Sequence, residues 1–170
     1  MSTRLYILRH AIAEERDAAR YPDDALRPLT DRGAKKMREI AAGMRAMGLD
    51  FTVILSSPFL RARQTADIVA REFKARDRLA LSVHLEPGGD PARVLREVES
   101  ASKSAPSILL VGHEPALSAL ISTLLAGHDA ASVTLKKGGL CSLSLSFTPG
   151  SIHATLEWLL TPRQLRQMVP

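Results

Sequence analysis

The chain of 170 residues holds a single cysteine, few aromatic side chains and no long uninterrupted apolar run. One cysteine, Cys141, excludes an internal disulfide. Its setting in the strand-like run LCSLSLSF reads as a small buried filler rather than a reactive thiol. No apolar run reaches the roughly 18 residues that a spanning helix needs, so no membrane segment is expected. The N-terminal MSTRLYILRH is interrupted by Arg4 and Arg9 and is too short for the apolar core of a secretory signal. A soluble, cytoplasmic protein is therefore expected. Aromatics at 4% leave no stacking platform for nucleic acid, and Asp and Glu are interleaved with Arg nearly everywhere. Repeats, low-complexity tracts and linkers are also missing, so residues 1–170 are read as a single domain.

What is present suits a packed core. Hydrophobic residues make up 45% of the chain, which excludes disorder, and the formal net charge of +5 favours acidic partners or substrates. Short β-like runs alternate with helical periods, the pattern of an α/β fold. The expected order is a strand over 5–9, a charged loop of about 20 residues, and a helix over 31–47 capped by Thr30 and ended by Gly48. A strand over 51–55 leads into a helix running to about residue 73, with Ser57 as cap and Pro58 in the first helical position. A strand over 79–84, a helix from the Asp90 cap to about residue 99 and the continuous apolar strand SILLV over 107–111 follow. Pro115 opens another helix. A hairpin over 140–147 and 152–159 turns at Pro149–Gly150, and a short helix spans 163–168.

In open α/β sheets, ligands bind beyond the carboxyl ends of the strands. Three separate strands here deliver charged or imidazole groups to that edge. The first ends on Arg9 and His10, the second leads to Arg61 in the following helical turn, and the SILLV strand ends on His113. Alone, each has an ordinary reading: an exposed strand end, a solvated helix residue, a capping histidine. Together, on parallel neighbouring strands, they form a pocket of two guanidiniums and two imidazoles suited to a dianion such as a phosphoryl group. Zinc held by His10, His84 and His113 is the rival reading, and two adjacent arginines oppose it electrostatically; no metal or cofactor is expected. An imidazole among cations stays unprotonated and can attack phosphorus, with the guanidiniums and the second imidazole holding the equatorial oxygens.

The motifs resemble those of the histidine phosphatase superfamily, whose fold is shared with phosphoglycerate mutases. LRHAIAE resembles its Arg-His-Gly signature, with Ala11 in place of the usual glycine. LTDRG resembles its Leu-Thr-x-x-Gly helix start, SSPFLRARQTADIV its Ser-x-Pro-x-x-Arg-Ala-x-x-Thr-Ala motif, and VGHEPAL the segment of its second histidine. The resemblance runs from Leu5 to about Leu124. It implies a three-layer α/β/α sandwich with a mostly parallel central sheet, His10 as the phosphorylated nucleophile, and Arg9, Arg61 and His113 as the phosphate pocket, with Ser57 a weaker substrate-binding candidate. Within the superfamily the chain is similar to the small SixA-type phosphohistidine phosphatases: it is short, the interval from Arg61 to His113 leaves no room for a lid, and the tail WLLTPRQLRQM resembles theirs. The resemblance implies a metal-independent monomer whose partner is a phosphorylated protein, a phosphohistidine carrier or signalling protein, with inorganic phosphate as product.

The leaving-group acid is the open member. Glu86, in HLEPGGD, stands near the place where larger superfamily members carry a catalytic glutamate; a surface carboxylate is its alternative reading. Asp17, Asp23 and Asp90 read as loop charges or caps. Gln64 and Thr65 read as surface and packing, His84, His128 and His153 as structural or exposed, and Lys136-Lys137-Gly138-Gly139 as a charged turn. Arg16, Arg20 and Arg27 read as mostly solvated, with one of them at the pocket mouth. Two further functions stay open: a general small-molecule phosphomonoesterase using Glu86 as acid, and a non-catalytic module that binds phosphorylated partners.

Overall fold

The computed structural model describes residues 2–169. Strands β1 (Ser2–Arg9), β2 (Val53–Ser56), β3 (Leu79–Leu81), β4 (Ser107–Gly112), β5 (Leu140–Thr148) and β6 (Ser151–Leu160) form one sheet in the order β3-β2-β4-β1-β5-β6. The β3-β2, β2-β4 and β4-β1 pairs are parallel, and the terminal hairpin adds two antiparallel strands. Helices α1 (Asp31–Ala46), α2 (Leu60–Glu72), α3 (Pro91–Ser102), α4 (Ala116–Ala126) and α5 (Pro162–Arg166) cover the two faces.

Alternation along the central strands divides the core. Tyr6 and Leu8 of β1, with Leu109 and Val111 of β4, pack against Met37, Ile40 and Met44 of α1, Ala66 and Val69 of α2, and Leu165 of α5. Leu5, Ile7, Ile108 and Leu110 face the other way, onto Val94 and Val98 of α3 and Leu117, Leu120 and Ile121 of α4. The three-layer α/β/α sandwich follows, because central parallel strands are apolar on both sides. Each fully buried Leu or Ile contributes about 1.5–3 kcal/mol. Cys141 lies fully buried in β5, and burial pushes its thiol up to about 12.

Several boundaries differ from the sequence-based expectation for identifiable reasons. The third strand stops at Leu81, because the Ser82 side chain accepts from the His84 backbone N–H and turns Val83–Leu85 into a 3₁₀ turn. Ser57 does not cap α2: the helix begins at Leu60, and Phe59 occupies the cap position without a side-chain cap bond. Pro115 precedes α4 rather than opening it. The last helix starts one residue earlier than expected and ends at Arg166, fixed by a reciprocal box between Thr161 and Gln164. The loop after β1 is not structureless. Its ends are joined by the Ala13–Leu29 bridge, and a 3₁₀ turn at Asp24–Leu26 is capped by Asp23.

Gly33 shows how α1 is seated against the segment that follows the strand end. A Cβ built on Gly33 would lie 2.0 Å from the Ile12 carbonyl oxygen, and backbone cannot yield as a flexible side chain can. Helix propensity favours alanine over glycine by up to about 1 kcal/mol, so in open space Gly33→Ala would stabilise the chain. The close approach reverses the sign. Urea unfolding of Gly33→Ala is expected to show a loss of about 1–3 kcal/mol, the usual range for overpacking; unchanged or increased stability would contradict this packing.

Candidate active site

The strand order brings the chemistry-bearing ends together. β4 lies between β1 and β2, with Arg9 opposite Gly112 and Ser56 opposite Val111. Backbone hydrogen bonds continue past the ladder. The His10 N–H donates to the Gly112 carbonyl at 3.0 Å and the Ser57 N–H to the Val111 carbonyl at 2.9 Å. The turn before β5 closes the other side: Gly138 N–H donates to the Arg9 carbonyl at 3.1 Å, and Arg9 N–H donates to that of Gly139 at 3.2 Å. Gly138 has φ +79, a conformation costly for a residue with a Cβ.

Arg9, His10, Arg61 and His113 line one cleft of about 330 Å³, joined by Arg16, Arg27, Lys137 and the carboxylates Glu14, Glu15 and Glu114. The His10 and His113 ring centroids are 5.2 Å apart. His10 Nδ1 lies 2.7 Å from the Ala11 carbonyl oxygen. A carbonyl only accepts, so this contact assigns the proton to Nδ1 and leaves Nε2 as the free base. Three nitrogens of the other cleft residues, Arg9 Nε, Arg61 Nε and His113 Nδ1, are buried with no hydrogen-bond partner among the described residues. Orphaned buried polar atoms are rare, and these come from three separate elements at one place. An anion held by such donors would satisfy them.

Both imidazoles are held neutral. Burial, then the charges of Arg61, Arg9 and Lys137, lower the pKa of His10 from 6.5 to about 4, against an opposing hydrogen bond to Ala11. Burial, then His10 and Arg61, lower that of His113 to about 3. Arg61 is buried and oriented by Asp24, donating from Nη1 to the backbone carbonyl at 2.9 Å and from Nη2 to the carboxylate at 3.0 Å. The same carboxylate accepts from Arg27 Nε at 2.9 Å, and Arg27 donates to the Glu14 carbonyl. Burial pushes the Asp24 pKa up, but the bond from Arg27 and the charges of Arg61 and Arg27 outweigh it and hold the carboxyl below its ordinary value. The Phe59 ring packs between the two sides of the site, 5.1 Å from the Arg61 guanidinium and 5.4 Å from the His113 ring.

Sequence reasoning passed over several of these residues. Thr65 is more than packing: its hydroxyl accepts from the Ala11 N–H at 3.0 Å and donates to the Arg61 carbonyl at 2.7 Å, linking the segment after His10 to α2. Gln64 accepts from the Leu29 N–H at 2.7 Å and pins the far end of the loop. Arg27 is buried at the cleft, and Lys137 lines it. Ser57 contacts His113 rather than lining the cleft, with Oγ 2.8 Å from Nε2. Glu86 is half-buried and is not among the lining residues, whereas its neighbour Pro87 is. His84 lies outside the cleft, 3.9 Å from Glu97. Asp17, Asp23 and Asp90 each accept from a nearby backbone N–H, as turn or helix caps do.

Two outcomes follow from this geometry. Thr65→Val keeps the shape but leaves the buried Ala11 N–H unsatisfied, a loss of about 1–3 kcal/mol readable by thermal or urea unfolding. A neutral effect would remove Thr65 from the scaffold of the site. In the unfolded chain both histidines protonate near pH 6.5, while the folded values are about 4 and 3. The unfolded state thus binds more protons between these limits, and stability is expected to fall as pH drops from about 6.5 towards 3. NMR titration checks the cause: ring signals of His10 and His113 should titrate near 4 and 3, and midpoints near 6.5 would contradict their burial.

Comparison with known proteins agrees with this arrangement. The family model of the histidine phosphatase superfamily (branch 1) matches residues 5–88. The chain is 27% identical to the phosphohistidine phosphatase SixA of Escherichia coli over 172 residues, covering 96% of each. An uncharacterized protein of Picosynechococcus is 36% identical over 147 residues, covering 82% of this chain and 83% of that one. The solved structure of the protein histidine phosphatase SixA complexed with tungstate superposes with a TM-score of 0.82 at 26% identity, covering 96% of this chain and 99% of that one. With Arg9, His10, Arg61 and His113 gathered at one sheet edge, the chain belongs to the histidine phosphatase superfamily.

Proposed function

We propose that the chain is a metal-independent phosphohistidine phosphatase acting on a phosphorylated protein, a carrier or signalling protein with a phosphoryl group on an imidazole nitrogen. The observation that carries this reading is the set of three unpaired buried donors beside a neutral His10 whose Nε2 is free to attack. In the first displacement the Nε2 lone pair forms a bond to phosphorus and the phosphorus–nitrogen bond of the substrate breaks. The departing imidazole leaves neutral when its other nitrogen already carries a proton. In the second, water attacks phosphohistidine-10, releases inorganic phosphate and returns the electron pair to Nε2. Arg9, Arg61 and His113 bind the equatorial oxygens, and their N–H groups are worth most where burial excludes water.

Similarity to SixA proteins supports the substrate class, and tungstate, the oxyanion in one related complex, is tetrahedral like phosphate. The cleft is bordered by exposed Glu15 and Arg16, so a group presented on a protein surface has an approach. A second reading has its own observation. Glu14, Glu15 and Glu114 line the cleft, and a carboxylic acid there would serve an alkoxide leaving group in a small-molecule phosphomonoesterase. Glu114 is already engaged with the Ser118 N–H and hydroxyl at the start of α4, and Glu14 lies 3.5 Å from Arg20.

The discriminating experiment compares kcat/KM for a phosphohistidine-bearing protein with that for alkyl phosphomonoesters. An alkoxide needs the 10²–10⁴-fold help that a positioned acid gives, whereas a protonated imidazole leaves without it. Phosphohistidine is therefore expected to react at least about 10²-fold faster. The reverse order would assign the site to small phosphomonoesters, and binding of phosphate without turnover of either would make it a recognition module.

A further inference from the structure

We infer that Ser57 is a positioning residue that acts through His113: its hydroxyl fixes the imidazole in the tautomer whose Nδ1–H faces the transferred phosphoryl group. The hydrogen-bond inventory of the hydroxyl carries the inference. Ser57 and His113 are both buried, with Ser57 Oγ 2.8 Å from His113 Nε2. The same oxygen accepts from the Phe59 backbone N–H at 3.2 Å. Ser57 is itself anchored by its N–H on the Val111 carbonyl, one residue from the strand end that carries His113. A hydroxyl has one hydrogen to give. With Phe59 donating to Oγ, the acceptor for that hydrogen among the described residues is His113 Nε2.

The opposite assignment fails on two counts. Were Nε2–H the donor, the Ser57 hydrogen would be buried without an acceptor among the described residues, and the unpartnered, buried Nδ1 of a residue lining the same cleft as Arg9, Arg61 and Lys137 would offer a lone pair, not an N–H, to an anion bound there. A lone pair facing phosphate oxygen repels it; an N–H attracts it. Because the ring is buried and neutral, only one nitrogen carries hydrogen, so tautomer choice decides whether His113 helps or hinders. The same logic operates on the partner ring, where the Ala11 carbonyl forces the proton onto Nδ1 and frees Nε2. Two neutral histidines 5.2 Å apart are thus set in opposite roles, His10 a base at Nε2 and His113 a donor at Nδ1.

The kinetic part of the test rests on the phosphatase reading above; the spectroscopic part does not. In the wild-type protein at neutral pH, long-range ¹⁵N–¹H correlation of the His113 ring, assigned against His113→Gln, is expected to show a protonated Nδ1 and a bare Nε2, with Nδ1 shifting on addition of inorganic phosphate. A protonated Nε2 would overturn the proposal whether or not the protein is a phosphatase. Ser57→Ala is expected to produce a mixture of the two tautomers and to lower kcat/KM by about 10- to 100-fold, short of the 10²–10³ that deleting a donor outright costs. Ser57→Thr, which keeps the hydroxyl, should restore both the tautomer and most of the rate. A Ser57→Ala protein that folds and keeps the wild-type tautomer and rate would overturn the assignment. Loss of rate with an unchanged tautomer would also do so, making Ser57 purely structural. If the variants fail to fold, the wild-type spectrum decides alone.

Discussion

Two imidazoles buried 5.2 Å apart among guanidiniums must stay uncharged, and the rest of the site is arranged around that constraint. A protonated His10 would have no lone pair to give to phosphorus. Burial disfavours the imidazolium, and Arg9, Arg61 and Lys137 disfavour it further. The same cations that keep His10 bare would, on the proposed function, hold the phosphoryl group. In one environment, then, positive charge both keeps the imidazole unprotonated and favours an anion beside it.

Holding this much positive charge together requires a scaffold that does not relax. Three parallel strands end side by side, and their backbones remain bonded one residue beyond the sheet, at His10–Gly112 and Ser57–Val111. Asp24 supplies the counter-charge, accepting from Arg61 and Arg27 at once. It comes from a loop whose two ends are closed by the Ala13–Leu29 bridge and held by Gln64. Thr65 then couples α2 to Ala11, so the helix that carries Arg61 also braces the residue after His10.

The strands and the four central residues were legible because each is encoded locally. His10 and His113 directly follow short apolar runs that read as strands, Arg9 closes the first of them, and Arg61 falls in the helical turn after another. What escaped depends on contacts between distant residues. Asp24 and Arg61 are 37 positions apart, Thr65 and Ala11 54, and Ser57 and His113 56. Read locally, Ser57-Pro58 is a helix cap and start; in the fold the serine turns to the neighbouring strand end instead, and α2 starts later. The third strand ends short of the sequence expectation: Ser82-Val83-His84 continues an extended pattern, and only the bond from the His84 N–H to the Ser82 side chain makes the turn. Glu86 stands out by its place in the motif order, whereas the carboxylates that line the cleft are Glu14 and Glu114, within LRHAIAE and VGHEPAL, and Glu15 directly after the first of these.

The central claim is that His10 Nε2 takes the phosphoryl group. Rapid acid-free quenching during turnover of a phosphohistidine-bearing protein, followed by mass spectrometry of the intact chain and its peptides, reads this directly. The account predicts a transient acid-labile, alkali-stable phosphoryl adduct on the peptide containing His10, absent in His10→Ala, whose decay keeps pace with phosphate release. Steady turnover with no adduct on His10, or undiminished turnover in His10→Ala, would contradict it.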